Sequence, residues 1–418
     1  MPKVLFLTIA QICLIFSKAC FAQVPGFFMK KESRKAEIPF INSNNLIIVP
    51  VSINGNEPVN FIVDTGVRTN IFFSKTLANQ LGLQYTRSLN LVGADGKTVL
   101  TASVSPNNHF DLGNVEGKIQ TILVLDEDFF ELESVIGIPI YGVLGYEFFK
   151  FNPVRIDYDR GKMFFYKTDA LKWRPIGFRK LKMPIEYNKP YINAKVKQVA
   201  GEDLYTKLLI DTGANHGLLL NKESTEEIVI PPVNLETDLG RSLGGDLFGV
   251  VGRSKFLSLN GLRFNNIITS YPFETEYSYI IKETGRQGSI GSELLGRLEL
   301  IIDYPRERFL FKRSVTFTNP FEFDMSGITP KILPSDIRRV YVARLKEQSP
   351  AFNAGVRVLD EIIEINKIPI GFWELSDIIK VFRSEVGRVI SIKVLRPSTE
   401  NEEIFNEFEF KFMLRRQI

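Results

Sequence analysis

The chain has 418 residues, 44% of them hydrophobic and 24% charged, a composition that can fill packed cores and excludes a disordered chain. Its formal net charge of +4 is too small to argue for a nucleic-acid partner or an anionic membrane surface.

At the N-terminus, Lys3 precedes an almost wholly apolar run over 4–16, and Ala19-Cys20-Phe21-Ala22 offers small residues for cleavage. This is the pattern of a secretory signal peptide over 1–22, so the chain is expected to be exported, to the periplasm or beyond the cell. The run is short of the roughly 20 residues a spanning helix needs, so no transmembrane anchor is expected after cleavage. Ser17-Lys18 before Cys20 does not suit a lipidation site. Cleavage after Ala22 removes Cys13, Cys20 and two lysines, leaving no thiol and lowering the net charge from +4 to +2. A disulfide framework and a cysteine nucleophile are thereby excluded.

Beyond that segment the sequence repeats itself. Phe61-Ile62-Val63-Asp64-Thr65-Gly66 returns as Leu208-Leu209-Ile210-Asp211-Thr212-Gly213, offset by 147 residues. Gly142-Val143-Leu144-Gly145 returns as Gly288-Ser289-Ile290-Gly291, and Ile156-Asp157-Tyr158 as Ile302-Asp303-Tyr304, both offset by 146. An offset held to within one residue by three landmarks means a duplicated unit, with halves over 38–170 and 176–314.

Each half reads as β-rich. Residues 46–53 are aliphatic and β-branched, Asn54-Gly55 is a hairpin turn, and 59–63 returns as a strand. Residues 74–81 suit a short helix capped by Ser74. A hairpin over 89–100 has its tip at 94–97. The second half repeats this with 191–199, 208–210 and a glycine turn at Gly244-Gly245-Asp246. Strands over 154–157 and 163–166 close the first half, and 300–303 and 309–311 the second. Segments 171–175 and 314–320 read as linkers, and from 324 to 416 the pattern changes to a small α+β module.

The chemistry concentrates in the two Asp-Thr-Gly sequences. A carboxylate directly after a buried strand is costly unless it is paired and hydrogen-bonded. The glycine that follows permits a tight turn or a close backbone approach. Duplication places equivalent residues about a pseudo-twofold axis. If that axis passes between the turns, Asp64 and Asp211 face each other and share a proton.

These residues resemble the aspartic peptidase superfamily, in unit length nearer its retropepsin-like, exported bacterial members than the longer pepsin lobes. The resemblance covers both Asp-Thr-Gly sequences and both glycine elements, which follow the aspartates after 78 and 77 residues. It implies a mainly β fold, with duplicated acid-protease β-barrel halves forming a pseudo-twofold bilobal domain. It also implies water activation by an Asp64/Asp211 dyad, with Thr65 and Thr212 bonding across the axis and Gly66 and Gly213 giving the backbone approach. The hairpins near Asp95-Gly96 and Gly244-Gly245 resemble flaps, without the tyrosine of pepsin's flap. Val67 and Ala214 stand where pepsin-like members carry a hydroxyl residue that favours the ionised carboxylate, so a less acidic optimum is expected.

Asp157 and Asp303 read as anchors of the fold rather than a second carboxylate site. His109 and His216 lack metal-ligand spacing, and His216 reads as a solvated loop residue. The acidic run at 126–128 lacks a calcium-ligand pattern.

The segment Ser349-Pro350-Ala351-Phe352-Asn353-Ala354-Gly355-Val356, followed by Leu359-Asp360-Glu361-Ile362-Ile363-Glu364-Ile365-Asn366, resembles a bacterial PDZ domain. The resemblance implies peptide docking beside a helix over 375–382, with Ser326, Gly327 and Ile328 as the carboxylate-capturing loop. Leu359 replaces the glycine usual before the aspartate. The expected function is an aspartic endopeptidase acting on peptide or unfolded protein. Its active site is expected to form within a monomer, with no cofactor or metal and a PDZ-like module for a peptide or partner. The alternative is an inactive peptide-binding scaffold.

Overall fold

The computed structural model describes residues 24–92, 99–127, 131–242, 245–275, 278–333, 335, 337–398 and 405–418. The proposed signal segment and the tips of both flap-like hairpins lie largely outside them. No helix among the described residues is long and apolar enough to cross a membrane.

The fold is mainly β, with two barrel-like lobes and a C-terminal α+β unit. The strand Leu46–Ile53 turns through Asn54 and Gly55, both at positive φ (52° and 82°), and pairs antiparallel with Val59–Val63 in the register Val49↔Phe61. Alternate residues of these strands enter different cores. Val49, Val51, Phe61 and Val63 join the large cluster shared by both lobes. Ile48 and Ile62 join a smaller one with Phe73, Leu125 and Ile136. Burial on both faces explains why the strands read as continuous apolar runs.

The lobes share one strand order. Leu46–Ile53, Val59–Val63, Gly142–Leu144, Asn70–Phe72, Val115–Leu125 and Val99–Leu112 are neighbours in the first. Lys189–Lys197, Asp203–Ile210, Gly288–Ile290, Leu218–Leu220, Leu262–Pro272 and Gly245–Leu259 repeat the series in the second. In each, the last strand also pairs with the first and closes the barrel.

The strands that end each half do not stay in their own lobes. Val154–Asp157 pairs antiparallel with Leu298–Asp303, Val154 opposite Ile302 and Ile156 opposite Leu300. They sit in the middle of one six-stranded sheet built from both halves. The repeated Ile-Asp-Tyr segments therefore meet across the pseudo-twofold axis. Asp157 and Asp303 are buried there, the latter bonded to the Arg308 guanidinium.

The C-terminal unit has its own core. The helix Leu375–Phe382 buries Leu375, Ile378 and Phe382 at helical spacing. It packs on Ile328–Leu333, an edge strand of the sheet. Arg396 holds the fully buried Asp360 through bonds of 2.6 and 2.8 Å. Leu359 adopts a φ of 70°, the left-handed conformation its expected glycine would take freely.

This unit is tied to the lobes. Arg253 donates to the carbonyls of Phe321 (2.8 Å) and Ile418 (3.3 Å), and Arg344 pairs with Asp238 midway along the outgoing strand of the second flap-like hairpin. The helix Leu132–Ile136 of the first lobe lies against both Ile328–Leu333 and Leu375–Phe382. Its cap, Gly137, has φ 82°, and a Cβ there would lie 3.0 Å from Ile332 Cδ1 and 3.1 Å from Leu375 Cβ.

Candidate active site

Asp64 and Asp211 each leave a buried strand, Val59–Val63 and Asp203–Ile210, and each is anchored from behind by a glycine element. Asp64 N–H donates to the Leu144 carbonyl at 2.9 Å, and Asp211 N–H to the Ile290 carbonyl at 3.0 Å. Gly145 and Gly291 pass so close to the turns that an added Cβ would sit 2.7 Å from the Val67 carbonyl oxygen or 2.6 Å from that of Ala214. Nothing larger than glycine fits at these crossings.

The two turns interlock through their threonines. Thr65 Oγ1 donates to the Ile210 carbonyl at 2.7 Å and accepts from Thr212 N–H at 3.1 Å. Thr212 Oγ1 donates to the Val63 carbonyl at 2.8 Å and accepts from Thr65 N–H at 3.1 Å. Both threonines are fully buried. Each hydroxyl therefore satisfies a buried donor and a buried acceptor of the opposite lobe.

The carboxylates are oriented by their own loops. Gly66 N–H donates to Asp64 Oδ1 at 2.6 Å, and Gly213 N–H to Asp211 Oδ1 at 3.2 Å. Gly66 faces the Asp211 carboxylate and Gly213 the Asp64 carboxylate, each so closely that a Cβ would press on it. The two carboxyl groups thus face each other across the paired turns. Burial, and then the Asp211 charge beside it, push Asp64 from 3.8 up to about 8. Two acids held this way favour a state with one proton between them, in which one group can accept a proton while the other can donate one.

Around the dyad stand residues the sequence did not flag. Lys189 opens the strand Lys189–Lys197 after a turn at Tyr187 and Asn188, both at positive φ (50° and 65°). Burial and the nearby Arg286 lower its pKa, while Asp211 and Asp64 oppose that. Arg68 lies four residues past Asp64, its guanidinium 5.7 Å from the Tyr187 ring centroid. The repeat held a signal for them. At the matching offsets the opposite half carries Asn42, Ile140 and Asn215 in place of Lys189, Arg286 and Arg68, so the cations break the internal symmetry.

His216 departs from the solvated position expected of it. It is half-buried, with Nε2 2.9 Å from Ser289 Oγ, and burial lowers its pKa. It braces the second glycine element rather than facing water.

The Ser326, Gly327 and Ile328 loop lies far along the chain from the dyad, and its amides are already engaged. Ser326 N–H and Gly327 N–H donate to the Asp324 carboxylate at 3.2 and 2.6 Å, and Ile328 N–H to Ser326 Oγ at 3.0 Å. A carboxylate from within the chain thus occupies the place expected for a peptide terminus. Among the described residues no group of three or more His, Cys, Asp or Glu is arranged to hold a metal ion.

Comparison with known proteins agrees with the motifs. Residues 49–148 match the family described as aspartyl protease, and residues 341–396 the PDZ domain. No curated protein matches the chain. Similar solved structures include basic 7S globulin from soybean, at 10% identity and a TM-score of 0.40, covering 69% of this chain and 97% of that one. They also include an aspartic proteinase from Irpex lacteus, at 12% identity and a TM-score of 0.41, covering 68% and 99%. The chain carries an aspartyl protease family domain followed by a C-terminal PDZ domain.

Proposed function

We propose that this protein is an exported aspartic endopeptidase, hydrolysing peptide bonds of extended peptide or unfolded protein at the Asp64/Asp211 dyad. The observation that carries the reading is the pair of carboxyl groups facing each other between two interlocked turns. Two carboxyl groups, each set against the glycine of the opposite turn, are backed by amide donors, locked by the paired threonines and biased so that Asp64 keeps its proton into the neutral range.

In the reaction the ionised carboxyl takes a proton from a water lodged between the two. That water attacks the scissile carbonyl carbon, and the protonated carboxyl donates to the carbonyl oxygen. Collapse of the tetrahedral intermediate passes a proton to the leaving amine and restores the one-proton dyad. No covalent enzyme intermediate forms. Because both carboxyls belong to one chain, a monomer suffices. The 38–170 and 176–314 halves supply one aspartate each, and the 324–416 module serves docking.

The test is digestion of an unfolded protein by the mature protein across roughly pH 3–8, beside an Asp64→Asn variant. Loss of an acid–base partner is expected to slow cleavage by at least about 100-fold. Absence of cleavage by well-folded protein at every pH would favour a peptide-binding scaffold.

A further inference from the structure

Three cations stand beside the dyad, each from a different segment of the chain. Arg68, Lys189 and Arg286 come from three separate segments: the Asp64 loop, the Tyr187-Asn188 turn, and the approach to the strand Gly288–Ile290. They converge on one turn. Arg68 lies 5.7 Å from the ring of Tyr187, two residues before Lys189, while Gln287, next to Arg286, donates its N–H to the carbonyl of Lys207, whose ammonium lies 4.8 Å from the ring of Tyr191, two residues after Lys189. Among the described residues none of the three forms an ion pair with a carboxylate. The nearby Glu186 is taken by Lys207 at 2.7 Å. Arg286 Nε is buried with no acceptor.

A dyad that shares a proton carries one negative charge, against three positive ones. An unpaired buried guanidinium nitrogen is costly, and the group that satisfies such a site best is a carboxylate held by charge-assisted hydrogen bonds. Arg and Lys in this arrangement offer several donors converging from different directions.

We propose that Arg68, Lys189 and Arg286 form a subsite that binds a carboxylate of the substrate close to the scissile bond. That carboxylate is either an acidic side chain or the chain's own C-terminus. The inference rests on the peptidase reading for the word substrate, but the site itself is a binding site and is testable without turnover. Uncharged residues line up poorly against it. An acidic one recovers the missing acceptor and brings its chain into register with the dyad.

The experiment has two readouts. First, an unfolded protein is digested and the cuts are mapped by mass spectrometry. Asp or Glu is expected at one fixed position within a few residues of the cut, or else the cuts cluster near free C-termini. Peptides with the acidic side chain changed to its amide, or with an amidated C-terminus, separate those sources. Loss of one charge-assisted contact is expected to lower kcat/KM for the amide by about 10-fold or more. In Lys189→Met and Arg286→Met the ratio of acid to amide should fall towards one, and Lys189→Glu should turn the preference towards basic residues. Cuts without acidic preference, together with an unchanged ratio in the variants, would overturn the subsite. Second, the Asp64→Asn protein is titrated with the acidic peptide and its amide by calorimetry. Tighter binding of the acidic peptide by about 10-fold is expected. Equal binding overturns the subsite even if cleavage is observed, whereas absent cleavage with selective binding counts only against the peptidase reading.

Discussion

Asp64 sets the pH response of the site. Its carboxyl is pushed up to about 8 by burial and by Asp211. The one-proton dyad should therefore persist through neutral pH and be lost as pH rises through about 8. Activity on an unfolded substrate is expected to follow that limb. A hydroxyl at position 67 would stabilise the ionised carboxylate, so Val67→Thr should move the basic limb to lower pH, as measured in the same pH–rate profile. Stability has a definite sign as well. In the unfolded chain Asp64 ionises near its ordinary value of 3.8, while the folded chain keeps the proton to about 8. Folding is thus penalised progressively as pH rises through that window and no further above it. Asp64→Asn removes the penalty, so its melting temperature should gain on the parent protein between about pH 4 and pH 8, even as its activity is lost.

The two Asp-Thr-Gly turns are locked to each other by their own side chains. Thr212 Oγ1 serves Thr65 N–H and the Val63 carbonyl, both deep between the lobes. Thr212→Val keeps the volume and orphans both, at a cost of about 2–4 kcal/mol for two unsatisfied buried groups. A urea titration should show the midpoint fall accordingly. The apolar strands, the Asp-Thr-Gly turns and the glycine elements were legible because each is local and occurs twice. The helix at Lys75–Gln80 with its Ser74 cap and the helix Leu375–Phe382 were legible for the same local reason. The six-stranded sheet shared by both halves was not, since pairing of Val154–Asp157 with Leu298–Asp303 is a contact over more than a hundred residues. Nor was the Asp324 carboxylate seated on the Ser326 and Gly327 amides, because an aspartate shortly before a serine and a glycine reads as a turn wherever it stands. His216 was misjudged because its hydrogen-bond partner, Ser289, is distant in sequence.

At the scale of the molecule, contacts among the described residues that hold the C-terminal unit include Arg253 on the Phe321 and Ile418 carbonyls, Arg344 on Asp238, and Gly137 against Ile332 and Leu375. Gly137→Leu would force a side chain into the last of these at a φ of 82° that suits glycine. The expected outcome is a larger radius of gyration in small-angle scattering and faster trypsin cleavage near the 314–320 linker. The Gly137 contact also changes what a ligand of the PDZ domain must do. A peptide added to the edge strand Ile328–Leu333 beside the helix Leu375–Phe382 needs the surface on which the helix Leu132–Ile136 now rests. That helix leads directly to Tyr141, whose N–H binds the Asn60 carbonyl, and on to the glycine element behind Asp64. Such a peptide would have to compete with the helix for one surface. Its apparent affinity would be reduced by the free energy of opening that contact, and by linkage its binding would loosen the helix from the C-terminal unit to the same degree.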